Sequence, residues 1–332
     1  MTLDAAIPTE TLRALAERVR STLGDLVLGQ SEAIEALLAG YLAGGHVLIE
    51  GVPGIAKTLL AQSFASALGL PFKRIQATPD LMPADVVGTH VFDPGERKFR
   101  LVKGPIFTHV LMADEVNRTP PKTQAALLEA MQEHQVTIDG VRMLLEPGFF
   151  VVATQNPLEF EGVYPLPEAQ LDRFLLRIEM GRPDVAAERA ILGRAVAGDL
   201  PGWDADRPLP PPAVTVPEAN ALRLASRRVH AAPELLDYLV RLAEAARKSP
   251  HVELGPSPRA SLALLEVGRA GALLEGREFL LPDDLKRFLV PCWGHRLRLV
   301  AESELEGETA RRVLEEVART VEVPHGGGSA SP

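Results

Sequence analysis

The sequence predicts an α/β fold, a parallel sheet covered by helices on both faces, followed by a smaller all-helical domain. Three observations predict it. From His46 to Glu179, short apolar runs (HVLIE, FKRIQ, VLMAD, FFVVAT and FLLRIE) alternate with helical or loop stretches, and such strands between helices indicate a parallel sheet buried on both faces. The first run passes through a glycine-bearing loop straight into a helix. After a proline-rich stretch near residue 200, apolar residues recur at helical spacing only.

The elements follow in order. Thr9 to Leu23 carries Leu12, Leu15, Val19 and Leu23 at three- and four-residue steps, an amphipathic helix. Ser31 is placed to cap a second helix carrying Ile34, Leu37 and Leu38. Two polar hairpins interrupt the α/β part. THVFDPGERKFRLVKG turns at Asp93-Pro94-Gly95, and QVTIDGVRML turns at Asp139-Gly140, where both turn residues need positive φ. Gly198 to Pro217 reads as linker or irregular insertion, because proline lacks a backbone donor and stiffens the chain. Helices are then expected at Pro217–Val229, Pro233–Lys248, Pro258–Leu274, Pro282–Leu289 and Ser303–Val321, several opening on a proline that a first turn tolerates. The tail PHGGGSASP is expected to be disordered. The expected organisation is an N-terminal helix (1–26), an α/β core (27–197), a linker (198–216), a helical domain (217–322) and a tail (323–332).

Composition bounds the function. A chain of 332 residues with 46% hydrophobic and 24% charged residues suits about two globular domains. The single cysteine, Cys292, excludes an internal disulfide framework and is expected as a buried, inert thiol. The eight histidines show no metal spacing, so no protein-bound zinc is expected. The start MTLDAAIPTE has no signal-peptide pattern, and no apolar run nears the roughly 18 residues of a membrane span, so a cytoplasmic location is expected. A net charge of −9 disfavours a sequence-independent nucleic-acid binder.

The sharpest motif is Gly51-Val52-Pro53-Gly54-Ile55-Ala56-Lys57-Thr58, followed by Leu59, between the strand HVLIE and a helix. It matches the Walker A phosphate loop, with Ala56 in place of the last glycine. Glycines let backbone N–H groups wrap an anion, and the helix N-terminus adds its own donors and dipole. Lys57 would reach the β- and γ-phosphates of ATP, and Thr58 would hold Mg²⁺. Ala56 is expected at negative φ, already entering the helix.

About sixty residues on, VLMADEVNR ends an apolar run in Asp114-Glu115. Asp114 would hold Mg²⁺ directly or through water, and Glu115 would orient and polarise the attacking water. Asn156 ends the run FFVVATQNP, where a neutral amide would bond both γ-phosphate and water; otherwise it is a turn residue before Pro157. Arg173 precedes the last strand and would suit a finger inserted into a neighbouring subunit's site. Arg259 lies in the first turn of a helix, where a cation opposes the dipole, and an anion held between the domains would explain it. A surface salt bridge is the alternative for each arginine. Arg97, Lys98, Phe99 and Arg100 form a basic hairpin edge, either a pore contact for a client or nucleic acid or a solvated hairpin. Trp293 and His295 would help seat the helical domain or pack its core.

GVPGIAKT, VLMADEVNR, PPKTQAALLEAMQE, QVTIDG, ATQNP, YPLPEAQLDRF and SPRA together resemble the MoxR family of AAA+ ATPases, a resemblance running roughly from Val27 to Leu299. It implies a P-loop core with strand order 5-1-4-3-2 and a helical lid, ATP at the core–lid boundary and at a subunit interface, and a homo-oligomer that is typically a hexameric ring. It also implies that Lys57 and Thr58 are Walker A residues, Asp114 and Glu115 Walker B, Asn156 sensor 1, Arg173 the arginine finger and Arg259 sensor 2. Val27, Leu28 and Gly29 would border the adenine. Ala56 looks like a common family form, and His109, where relatives tend to carry Asn, departs from it at the wall of the site. The hairpins look like the substrate-facing elements of the helix-2-insert clade, the second lying inside helix 2, and the Pro-rich stretch like the extra connection before the lid. The resemblance further implies a chaperone-like remodeller of a client protein, often with a von Willebrand factor A domain partner, in complex maturation or metal insertion. Rival readings are a nucleic-acid motor or loader of the same clade and a non-hydrolysing nucleotide-gated scaffold.

Overall fold

The computed structural model of the chain describes residues 7–159, 162–200 and 209–324. Part of the linker (201–208) and the tail from 325 lie outside the described residues.

Helices α1 (Thr9–Leu26) and α2 (Ser31–Ala43) precede β1 (His46–Glu50), α3 (Lys57–Ala67), β2 (Phe72–Gln76) and α4 (Pro83–Val87). The first hairpin, β3–β4 (Gly88–Asp93 and Lys98–Lys103), leads to β5 (Val110–Asp114), a 3-10 turn (Val116–Arg118) and α5 (Pro121–Glu133). The second hairpin, β6–β7 (Gln135–Ile138 and Val141–Leu144), precedes β8 (Phe150–Gln155), α6 (Glu168–Leu171), β9 (Phe174–Glu179) and α7 (Val185–Val196). The remainder comprises α8 (Val216–Ser226), α9 (Pro233–Lys248), β10 (Val252–Leu254), α10 (Pro258–Leu274), α11 (Pro282–Trp293), β11 (Arg298–Leu299), α12 (Ala301–Leu305) and α13 (Ala310–Thr320).

The five parallel strands run β2-β5-β8-β1-β9. Numbered in chain order among themselves and read from the other edge, that is the expected 5-1-4-3-2. Alternate residues feed two separate cores. Val47, Ile49, Val110, Met112 and Val152 join the larger cluster with α1 to α3 and the helical domain. Leu48, Leu111, Val151 and Ala153 join the smaller one with α5. Burial on both faces is why these strands are apolar without alternation.

The structure departs from the sequence reading at five places in the fold. Ser31 is the first residue of α2, not its cap; Gln30 is the cap residue and spends its side chain on Gly181 O (2.9 Å). α11 continues through Pro291 to Trp293. The helix expected at 303–321 breaks at Gly307 (φ +85°), and Thr309 caps α13 through Arg312 N–H (3.2 Å). The helical domain also contains the ribbon β10–β11, too short to leave a periodic signal. The second hairpin is not inside helix 2. It follows α5, the helix after the third sheet strand, whereas the first hairpin directly follows the five-residue α4 in the second crossover. The turn Asp139-Gly140 does take positive φ at both residues, 49° and 80°. His90 and Asp139 tie the two hairpins together (2.6 Å).

The helical domain docks on the edge strand β9. His295 hydrogen-bonds Phe174 O (3.0 Å), and Arg296 binds Asp172 (2.7 Å) and donates to the carbonyls of Phe174 (2.8 Å) and Leu175 (3.1 Å). Trp293 is fully buried and donates to Ala260 O (2.9 Å). Cys292 is buried, which pushes its thiol up to about 11. No helix among the described residues is long and apolar enough to cross a membrane.

His46 joins three core elements. Its Nε2–H donates to Met131 O at the end of α5 (2.9 Å), and its Nδ1 accepts from the Val151 N–H of β8 (3.0 Å), so the neutral ring is the form that fits. Burial lowers its pKa from 6.5 to about 4. The unfolded chain therefore binds more protons between those values. The stability His46 contributes is complete above about pH 6.5 and is lost as pH falls towards 4. Urea titrations should show this share falling by roughly 2–3 kcal/mol between pH 7 and pH 4.5, beyond the loss shown by His46→Gln. Equal losses in both proteins would refute it.

Candidate nucleotide site

The loop Gly51–Ala56 carries the chain from the C-terminal end of β1 into α3. Gly51 is required sterically, since a Cβ there would stand 2.8 Å from Met180 O and 2.3 Å from Ile55 Cδ1. Gly54 takes φ +82° and faces open space. Ala56 also lies in the left-handed region, at φ +70°, and caps α3 without a side-chain bond. The expected negative φ is therefore wrong: the chain must reverse once more before Lys57, and alanine accepts the left-handed conformation at about 1–2 kcal/mol that glycine would not incur. α3 has no side-chain cap and no acidic residue in its first turn. Its leading N–H groups, beginning with Lys57, Thr58 and Leu59, remain free to receive an anion. Lys57 donates to Gly51 O, and burial lowers its pKa against the pull of Asp114, Glu115 and Glu159.

Asp114 and Asn156 end the neighbouring strands β5 and β8, on the same edge of the sheet as the loop. Asp114 is buried. Thr154 Oγ1 donates to its Oδ1 (2.5 Å), while Arg74 donates twice to its Oδ2 (3.1 and 2.5 Å). Glu115 sits at φ +57°, with its N–H donating to Thr154 Oγ1 (2.9 Å). Its Oε2 accepts from Gln76 Nε2 (3.0 Å) and pairs with Arg118 Nε (3.2 Å). Arg118 also forks onto Glu159 (3.1 and 2.7 Å), which holds the Glu159 carboxyl below its usual range. Asn156 is buried and bonds Glu159; its Oδ1 also accepts from Leu158 N–H (3.2 Å).

Sequence reasoning missed Arg74, Gln76, Thr154 and Glu159 and gave Arg118 no role. Arg74 and Gln76 occupy alternate positions of β2, and Gln76 is in register with Asp114. Only that pairing turns a polar edge strand into part of the site.

Val27 is in the core, and Gly29 (φ +73°) packs against Pro183 and Ala187. Gln30 bonds Gly181 O, next to the Met180 carbonyl that crowds Gly51, so Val27–Gly29 borders the loop end of the sheet. His109 does not line the site; it precedes β5, at the far end of that strand from Asp114.

Arg173 and Arg259 stand at the other end of the sheet. Both line a cleft of about 190 Å³ with Gly44, His46 and Arg296, where β1 and β9 begin. Neither has an ion pair among the described residues. At about 3.3 Å per residue, β1 alone separates this cleft from the phosphate loop by roughly 13 Å. Arg259 therefore stands between the core and the helical domain, but at the sheet end opposite the phosphate loop of its own chain. The end of the linker crosses α3, with Ala213 and Val214 N–H both donating to Ala67 O (2.9 and 3.1 Å). α8 then sets Arg223 against Gly44 and Gly148, near the starts of β1 and β8, so the helical domain begins at the end opposite the loop.

A phosphate loop on the first of five strands in this order, an acidic pair and an asparagine on the same edge, and a helical lid define a AAA+ ATPase. The family described as ATPase family associated with various cellular activities (AAA) matches residues 46–176, and the AAA lid domain matches residues 244–317. The chain is 39% identical to YeaC of Bacillus subtilis over 95% of this chain and 97% of that one. It is 40% identical to the chaperone MoxR1 of Mycobacterium tuberculosis over 93% and 82% of the two chains. With MoxR of Paracoccus denitrificans it shares 32% identity over 92% and 95%. A crystal structure of a Cytophaga hutchinsonii protein assigned as an ATPase superposes with a TM-score of 0.87 at 36% identity, covering 96% and 97% of the two chains. The chain belongs to the MoxR family, and it is an ATP-hydrolysing enzyme.

The backbone at Ala56 yields a direct test. Ala56→Val, which puts a β-branched residue at φ +70°, should cost more than about 1 kcal/mol in denaturant titration and weaken ATP binding. Ala56→Gly should bind ATP at least as well as the parent. Full tolerance of valine would contradict the left-handed geometry.

Proposed function

We propose that this protein hydrolyses MgATP between adjacent copies of itself and uses the cycle to remodel a protein client. The observation that carries the reading is the shared cleft of Arg173 and Arg259 at the sheet end opposite Lys57. One chain cannot bring both halves to one triphosphate, so a second copy supplies the arginines.

In this reading the loop N–H groups and Lys57 bind the β- and γ-phosphates, and Val27, Leu28 and Gly29 flank the adenine. Among the described residues no three acidic, histidine or cysteine side chains converge, which suits an ion held mainly by phosphate oxygens and water. Thr58 and Asp114 fit as its protein contacts: Thr58 opens α3 beside Lys57, and Asp114 is a buried carboxylate at the facing strand end. When bound, Mg²⁺ neutralises phosphate charge. Asp114 Oδ2, which Arg74 holds, would be the oxygen turned to this contact. Glu115 takes the proton of the attacking water, and Asn156 orients that water against the γ-phosphate. The neighbour's Arg173 and Arg259 stabilise the charge of the transferring phosphoryl group, the part of the barrier that positioned cations lower most.

The hairpins supply the client contact. Phe92 and Phe99 stack edge to face at the exposed first hairpin (5.5 Å) amid Arg97, Lys98 and Arg100. The net charge of −9 and the relative named as a chaperone support a protein client over nucleic acid. A hexameric ring and a von Willebrand factor A domain client belong to the same reading.

Complementation tests it. Glu115→Gln should bind ATP and lose at least about 100-fold in turnover. Arg173→Ala and Arg259→Ala should each be inactive alone. Mixing Arg173→Ala with Glu115→Gln should restore activity, because sites with intact Glu115 then receive an intact arginine. No recovery at any ratio would place the arginines in their own chain's site. The Glu115→Gln protein held in ATP should retain protein clients; recovery of nucleic acid would favour the motor reading.

A further inference from the structure

Arg118 follows Glu115 by one turn, on the 3-10 segment whose backbone closes with Arg118 N–H donating to Glu115 O (2.8 Å). That turn brings the guanidinium back over the Glu115 carboxylate, 3.2 Å from Oε2. The same Oε2 accepts from Gln76 Nε2 across the sheet (3.0 Å). Oε1 of Glu115 has no hydrogen bond among the described residues. A carboxylate held through one oxygen, by a hydrogen bond from Gln76 and an ion pair with Arg118, keeps its other oxygen free of protein donors, and a positioned free oxygen is what a water-activating group needs.

Arg118 is itself fixed. Its fork onto Glu159 is bidentate (3.1 and 2.7 Å), the geometry in which an arginine loses least freedom per bond formed. Glu159 belongs to the loop after β8 that carries Asn156. Glu159, Arg118, Glu115 and Gln76 therefore form one continuous polar chain from the Asn156 loop to β2. The other charges nearby are committed: Arg74 to Asp114, and Lys57 to Gly51 O.

We propose that Arg118, anchored by Glu159, is a positioning residue that aims the Glu115 carboxylate at the attacking water. The inference rests on the role of Glu115 in the function proposed above.

The test uses the full-length protein. Arg118→Ala should lower kcat on the order of 10–100-fold while the Kd for ATP, measured by fluorescent nucleotide titration, stays within about twofold. Arg118→Lys, which restores the charge without the fork, should recover part of the rate. Glu159→Gln, which loosens the anchor, should lower kcat several-fold in the same direction. In the Glu115→Gln background, Arg118→Ala should have no further effect, since the group it positions is gone. An unchanged or raised kcat in Arg118→Ala overturns the proposal, as does a loss that adds fully to that of Glu115→Gln. If Arg118→Ala fails to fold, Glu159→Gln and Arg118→Lys decide, and full rates in both overturn it. The two layers separate cleanly. Glu115→Gln inactive with Arg118→Ala normal defeats only the positioning role, whereas an active Glu115→Gln protein defeats the reading of Glu115 itself.

Discussion

A parallel sheet has a direction, and that constraint governs this molecule. Each strand enters at one edge and leaves at the other, so β1, β5 and β8 deliver Gly51, Asp114 and Asn156 to a common edge. The same rule puts Arg173, immediately before β9, at the opposite edge. The linker then starts the helical domain at that opposite edge, where Arg259 joins Arg173. The phosphate loop and the two arginines thus stand at opposite ends of the same sheet.

At the phosphate edge the charged side chains hold partners within the protein. Asp114 pairs with Arg74, Glu115 and Glu159 share Arg118, and Lys57 is turned onto a backbone carbonyl. A buried charge left alone is costly, and buried Asp114 has its partner in Arg74. Positions on β2 and after β8 thus belong to this network as much as those after β5 do.

The helical domain shares the larger hydrophobic core with α1 and α2 and adds a set of polar contacts at the start of β9. Arg296 alone reaches Asp172 and the carbonyls of Phe174 and Leu175. Asp172 and Phe174 flank Arg173, so these contacts tie the helical domain to the segment that carries that arginine.

Much was legible in the sequence because it depends on local pattern. Apolar strands, the phosphate loop, Asp114, Glu115, Asn156, the Asp139-Gly140 turn and most helices of the lid all carry signals within a few residues. Strand order came from family resemblance, not from the residues themselves. The left-handed Ala56 was read wrongly because a loop's φ is set by how its two flanking elements meet in space. The hairpin assigned to helix 2 was misplaced because sequence order alone does not say which crossover a hairpin interrupts. Arg74, Gln76 and Glu159 were invisible for a related reason: ion pairs and cross-strand register are long-range, and nothing near Arg74 in the chain announces Asp114. The sequence by itself determined what chemistry the protein performs, since that rests on contiguous motifs. Only the tertiary structure decided which groups hold the carboxylates and on which edge each arginine stands, because those distances exist only once the strands have paired.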